Sequence, residues 1–285
     1  MYTEATRCNE LAPRKRIVST TGVRATIATI ALLTTITAIS ACSPTDTTAT
    51  PASATSTATI TTTPGDYRVP DNMRNSTVVW SAEPGIDLLG EYGTLTRGAV
   101  EANDVALGGG LDASYPGYAR AIDRKTVDLY TQLGSDDAIT HGTAYYHIRG
   151  IEPTDNGFIA HTCEQISDIA YTARDGRYVR FVDGGDMASK IAFERTEPPP
   201  GTGSRPTPTA PGPDPVGETG RPQWQAPTYD VFAGWNIIRG GWTRPGHTLS
   251  CRPWGQQFAT DAPDYGTATI RSDAPPDTLP AYPGW

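Results

Sequence analysis

Residues 24–42, RATIATIALLTTITAISAC, constrain the chain most strongly, because they decide where the rest of it folds. Arg7, Arg14, Lys15, Arg16 and Arg24 precede an apolar run from Ala25 to Ala41. Positive charge is held on the cytoplasmic side, so this order inserts the run with its far end outward. The run has 17 residues, six of them Thr or Ser. A stable spanning helix wants about 20 mostly apolar residues, so a short Thr-rich run favours a cleaved export signal over a permanent span.

The run closes on Ile39-Ser40-Ala41-Cys42, followed by Ser43-Pro44. An aliphatic residue, two small ones and a cysteine resemble the bacterial lipobox, with Ile39 where Leu is more usual. The resemblance implies a signal peptide over residues 1–41 and a diacylglyceryl thioether on Cys42. Acyl chains of the palmitate kind on one cysteine supply the double hydrophobic signal that makes anchoring stable. The expected address is the outer face of the cell membrane, with membrane lipid as a partner through Cys42. The alternatives are an uncleaved anchor helix, or an ordinary signal with a chance cysteine.

Removing residues 1–41 leaves 18 Lys and Arg against 29 Asp and Glu, a net charge of −11. So acidic a chain argues against nucleic acid, whose phosphates need basic patches. It argues equally against peripheral attraction to anionic lipid. Of four cysteines, Cys8 is discarded and Cys42 lipidated. Cys163 and Cys251 then face an oxidising exterior as an even pair, for which a disulfide is the default and two buried thiols the alternative.

Residues 42–77 are Thr, Ala, Ser and Pro with little to bury, so they read as a disordered tether. Order is expected from Val78-Val79-Trp80. Leu88, Tyr92, Leu95, Ala99, Asn103, Ala106 and Leu107 recur at spacings of three and four, an amphipathic helix with one inward face. Gly108-Gly109-Gly110 ends it, and Ser114-Tyr115-Pro116 opens a second, less regular helical stretch to about Leu133.

Strand character follows. Residues 143–151 (TAYYHIRGI), 158–170 (FIAHTCEQISDIA, long and bulged), 178–182 and 190–195 are rich in β-favouring residues and separated by turn clusters. Residues 197–227 hold 10 prolines and read as an exposed insertion between two strands. The strand pattern resumes over 229–242, and residues 259–285 read as a Pro-rich mobile tail in which only Trp285 is suited to docking. The expected domain is therefore 78–258, a single α+β domain with helices first and four or five antiparallel strands after.

The front helix, the Tyr115-Pro116-Gly117-Tyr118 loop and the strand pattern FIAHTCEQ…ARDGRYVRF resemble actinobacterial lipoproteins with a nuclear transport factor 2-like domain. The resemblance implies N-terminal helices packed in a curved antiparallel sheet that forms a cone. It also implies pairing of Cys163 in a central strand with Cys251 near the domain's end. The fold carries many functions and does not by itself supply one.

Enzymes with this cone place an acid and a Tyr or Asp in its cavity. The candidates here are Tyr145, Tyr146, His147, His161, Glu164 and Asp168, with Tyr145 and His147 on one strand face and Tyr146 on the other. A sheet whose Tyr and His are merely hydrogen-bonded accounts for them more simply. His161 and Cys163 share a face as a metal pair would, with His141, His147 and His247 also in the chain. A disulfide removes Cys163 as a ligand, and no CxxC or HExxH spacing exists, so no metal or cofactor is expected. Asp183-Gly184-Gly185-Asp186 lacks the ligand series of a calcium loop. No Gly-x-Ser-x-Gly occurs, and the sequence offers no argument for a Ser-His-Asp triad. Trp235, Trp242 and Trp254 suit packing better than sugar or lipid binding.

These features predict a lipid-anchored envelope lipoprotein, a non-enzymatic binding component with a protein or small-molecule partner. One alternative is an isomerase- or hydratase-like enzyme using the cone cavity. Another is a solute-binding lipoprotein of a transporter, which usually needs two α/β lobes that this pattern lacks.

Overall fold

Thirteen of the nineteen residues of the first helix, α1 (Glu91–Gly109), are buried, from Gly93 to Asn103 without a break and then Val105 and Ala106. A helix lying on a core by one stripe would bury about half of them. The expected one-sided helix is thus corrected to one enclosed nearly all round, with Arg97, Glu101 and Asn103 inside. The enclosing groups come from distant segments that local periodicity does not report. Gly98 is required by this closeness, since a Cβ there would meet Val231 Cγ2 at 2.9 Å and Phe232 at 3.2 Å.

The computed structural model describes residues 67–135, 138–183, 187–196, 220–240, 251–259, 262 and 267–285. The export segment, Cys42 and the tether up to residue 66 lie outside the described residues. So do positions 197–219 of the insertion, residues 184–186, Trp242 and His247. Among the described residues, no helix is long and apolar enough to cross a membrane.

After α1 a single turn, Leu111–Ala113, leads to α2 (Tyr118–Ala121) and α3 (Arg124–Leu133). Gly117 separates them from the turn at φ 81°, a left-handed conformation that costs glycine nothing. Asp123 caps α3 by accepting from the Thr126 N–H. The single helical stretch expected over 114–133 is therefore two pieces.

An eight-stranded sheet covers one side of α1. Its strands are β1 (Ser76–Ala82), β2 (Thr140–Thr154), β3 (Gly157–Gln165), β4 (Ile169–Thr172), β5 (Tyr178–Asp183), β6 (Met187–Arg195), β7 (Trp235–Gly240) and β8 (Thr267–Ser272). All neighbours are antiparallel except β1 and β2, whose register sets Ser81 opposite His147. Tyr145 pairs with Val79 on one edge and Gln165 on the other, while Gly142 pairs with Ser76 and Ile169. Hence β3 and β4 are one line along β2, interrupted at residues 166–168, as the long bulged strand predicted. By the same logic β5 and β6 form the next line, with β7 and β8 outside it.

The α+β class stands as predicted. The expected order of helices first and four or five antiparallel strands after is corrected: β1 precedes α1, the sheet has eight strands, and β1 joins β2 in parallel. Three boundaries are corrected. Val69 and Met73 are buried in the core, so folded chain begins before residue 78. Trp224, assigned to the exposed insertion, is 7% exposed and donates its Nε1–H to the Tyr115 hydroxyl. The tail from 259 onward carries β8, whose alternating TATIRS pairs with β5, and Tyr282 exchanges backbone hydrogen bonds with Val78 and Trp80. Free strand edges attract any extended segment, and both tail pieces satisfy one.

Candidate functional site

The sheet presents two faces with different neighbours. Even-numbered residues of this part of β2 and β3, among them Tyr146, Phe158 and Glu164, turn towards α1. Tyr145, His147, Cys163 and Gln165 turn away, as period-two alternation requires. On that outer face lies the segment 251–259, containing α4 (Arg252–Gly255). The Cys163–Cys251 disulfide holds it there, with S–S 1.99 Å and Cα–Cα 5.4 Å. The predicted pairing is present. It accords with folding in an oxidising compartment.

The outer face collects most of the predicted site residues. Tyr145 stacks on Phe258 at 4.1 Å between ring centres. Its hydroxyl donates to Asp168 Oδ2 at 3.4 Å, and Arg180 Nη1 pairs with Asp168 Oδ1 at 2.7 Å. Burial, then the Asp168 charge, pushes the Tyr145 phenol up to about 12. His147 stacks on Trp254 at 5.5 Å. His161 stands apart, its Nε2 lying 3.1 Å from Glu152 Oε1 without a hydrogen bond between them. Tyr145 and His147 thus sit beneath the disulfide-held segment, on the face away from α1 rather than in the cavity expected for them. Among the described residues no group of three metal-ligating side chains occurs.

The inner face brings together a different set, of which only Tyr146 and Glu164 were candidates. Tyr146 donates its hydroxyl to Asp104 Oδ2 on α1, and its ring stacks on Trp80 at 5.0 Å. Tyr130 of α3 donates to Asn103 Oδ1 at 2.5 Å and lies 3.1 Å from the Tyr118 hydroxyl. Arg239, at the end of β7, reaches back to α1 and donates to the Ala99 carbonyl at 3.1 Å. Glu164 enters from β3 and interacts electrostatically with Asp104 and Arg239.

Asp104, Glu164 and Arg239 keep some accessible surface, yet neighbouring atoms strip most water from all three. Together they form a charged cluster on the face that α1 covers. Desolvation pushes the Asp104 carboxyl up to about 6, against the Tyr146 hydrogen bond and the Arg239 charge. Desolvation and the Asp104 charge push Glu164 up to about 8. Two carboxyls that share one positive neighbour and little water do not both ionise readily, so one holds a proton near neutral pH. The cluster therefore offers a carboxylate acceptor, a carboxylic acid donor, phenolic hydroxyls and a guanidinium.

A second polar group lies deeper on α1. Glu101, 2% exposed, accepts from Trp80 Nε1 at 2.8 Å, the Tyr115 hydroxyl at 2.6 Å and Trp285 Nε1 at 3.3 Å. It is fully enclosed and satisfied, which marks it as structural. The sequence signal for the cluster was Asn103, the one polar interruption in the helix pattern, but nothing local tied it to Asp104, Glu164 or Arg239.

Comparison with protein-family models, with curated proteins and with solved structures found no match to this chain.

Proposed function

We propose that this chain is a lipid-anchored extracytoplasmic binding protein, carried on the outer face of a membrane through Cys42, whose inner charged cluster holds a small polar ligand. The observation that carries the binding reading is the convergence of Asp104, Tyr146, Glu164 and Arg239 from α1, β2, β3 and β7 into one charged cluster. Few convergent polar groups in a mostly apolar setting are what small-molecule sites use for orientation. The disulfide supports the extracytoplasmic address. The packing of α1 on a largely antiparallel sheet is what supports a nuclear transport factor 2-like cone.

A second reading, an isomerase- or hydratase-like enzyme, draws on the separated carboxyls. A pair held in opposite protonation states can supply a base and an acid to one substrate.

Two measurements test the proposal. Mass spectrometry of the membrane fraction of a bacterial host should return an N-terminal peptide that begins at Cys42 and carries acyl mass. Cys42 unmodified and still joined to residues 1–41 would overturn the lipid anchor. Native mass spectrometry of the detergent-extracted protein should show a small-molecule adduct that the Asp104→Asn, Glu164→Gln variant loses. Identical adduct-free spectra for both would overturn the binding role.

A further inference from the structure

Parallel pairing of β1 with β2 does more than close one side of the sheet. It sets Ser81 directly opposite His147, both on the outer face. Ser81 Oγ lies 2.8 Å from His147 Nδ1, and His147 Nε2 lies 3.3 Å from Glu83 Oε1. Trp254 Nε1, from the disulfide-held segment, stands 3.3 Å from the same Ser81 oxygen.

The direction of this chain follows from what each group can do. An indole N–H only donates, and an ionised carboxylate only accepts. In the neutral imidazole, Nε2 then carries the proton given to Glu83, Nδ1 is the bare nitrogen, and the Ser81 hydroxyl donates to it. The rival acceptor for that hydroxyl, the Tyr146 carbonyl, is 3.4 Å away, well beyond the 2.8 Å of the histidine. The Trp254 N–H then falls on the serine lone pairs. The imidazole is fixed on both nitrogens and on one ring face, by the Trp254 stack at 5.5 Å and 26°. This is a nucleophile, a base and an orienting carboxylate in hydrogen-bond order, recognised by geometry and not by sequence spacing.

We propose that Ser81, His147 and Glu83 form a serine acyl-transfer site on the outer face, separate from the inner cluster and acting on uncharged acyl esters. Ser81 Oγ attacks the ester carbonyl carbon, forming the new C–O bond while the carbonyl pair moves onto oxygen. The serine proton passes to His147 Nδ1. Collapse of the tetrahedral adduct breaks the bond to the leaving alcohol, which takes that proton from His147. Water then attacks the acyl-Ser81 carbonyl, again losing its proton to His147. The acid leaves, and the proton returns to Ser81 Oγ. Nothing is oxidised or reduced, and water is the sole co-reactant. Glu83, with its side chain 54% exposed at the edge of the site, disfavours anionic acyl donors. The Trp254 indole offers an apolar surface for the acyl group.

The test uses the full chain with the Cys163–Cys251 bond intact and an uncharged alkyl fluorophosphonate as probe. Peptide mass spectrometry should place one phosphonyl group on Ser81, and Ser81→Ala should abolish that adduct. His147→Ala should lower the labelling rate by about 10²–10⁴-fold, the usual share of a positioned base. His147→Gln, which keeps a planar polar side chain against Trp254, guards against a folding artefact and should be equally slow. Steady hydrolysis of p-nitrophenyl acetate should follow the same order across the variants. An unlabelled Ser81 in folded wild type would overturn the proposal. So would a labelling rate that survives loss of the histidine.

Discussion

Arg97 Nη2 donates to the Pro283 carbonyl at 2.7 Å, so a residue in the middle of α1 is bonded to a segment 186 positions further along the chain. The same nitrogen reaches the Gly284 carbonyl at 3.1 Å, and the guanidinium lies 4.4 Å from the centre of the Trp285 ring. Trp285 also donates to buried Glu101. Deleting residues 279–285 would strip a buried cation of two carbonyl acceptors and a carboxylate of one donor. Breaking buried charged groups in this way costs about 3–5 kcal/mol. Trp285→Ala, which leaves both carbonyls, should cost about 2 kcal/mol. Urea midpoints of the two variants check this, and an unchanged midpoint for the deletion would show that the strap only rests on the surface.

The Cys163–Cys251 bond closes a sequence separation of 88. In the chain-entropy model a loop of that size stabilises the fold by about 4–5 kcal/mol, less any enthalpic strain. The segment it holds also carries Trp254, stacked on His147, and Phe258, stacked on Tyr145. Replacing both cysteines by Ser should lower the unfolding midpoint and, earlier in the titration, red-shift Trp254 emission as the segment leaves the sheet. One coincident transition would mean that aromatic packing alone keeps the segment in place.

The Tyr146 hydroxyl donates to Asp104, and that hydrogen bond lowers a carboxyl that burial otherwise raises. Tyr146→Phe keeps the ring and its stack on Trp80. The Asp104 titration midpoint, read from the side-chain carboxyl carbon by NMR, should therefore move above about 6 in the variant. Stability should fall by about 1–3 kcal/mol, the usual cost of leaving a buried acceptor without its partner. A midpoint that stays or drops would show that the hydroxyl does not govern this carboxyl.

Local pattern sufficed for most elements because their signals are local. Glycines 108–110 ended α1, and β-branched and aromatic runs marked β2, β3 and β6. The even cysteine count supplied the disulfide. What failed to show was always a long-range pairing. Ser81 meets His147 through a parallel register across 66 positions, and neither residue carries a neighbouring motif. Asp104 and Arg239 look like ordinary surface charges until β7 lays Arg239 against α1. The tail looked unfoldable because its partners, β5 and β1, lie far back in the chain. Alternation told faces apart but not which face the helices would cover, so Tyr145 and His147 were assigned to the wrong side.

Glu164 sets the pH behaviour of the fold. Its native carboxyl is pushed up to about 8 from an ordinary 4.5 by burial and by Asp104. Between those values the unfolded chain has released the proton while the native state still holds it. The native state then binds more protons, so stability falls as pH rises through this window and levels off above it. Asp104 adds a loss in the same direction, between an ordinary 3.8 and about 6. Glu164→Gln removes the larger part, because an amide has no proton to lose. The variant should match wild type near pH 3, where Glu164 is protonated in either state, and exceed it progressively up to about pH 8. Urea midpoints across that range give the comparison. A difference that is constant with pH would mean that Glu164 is already ionised and solvated, and the cluster would lose its proton donor.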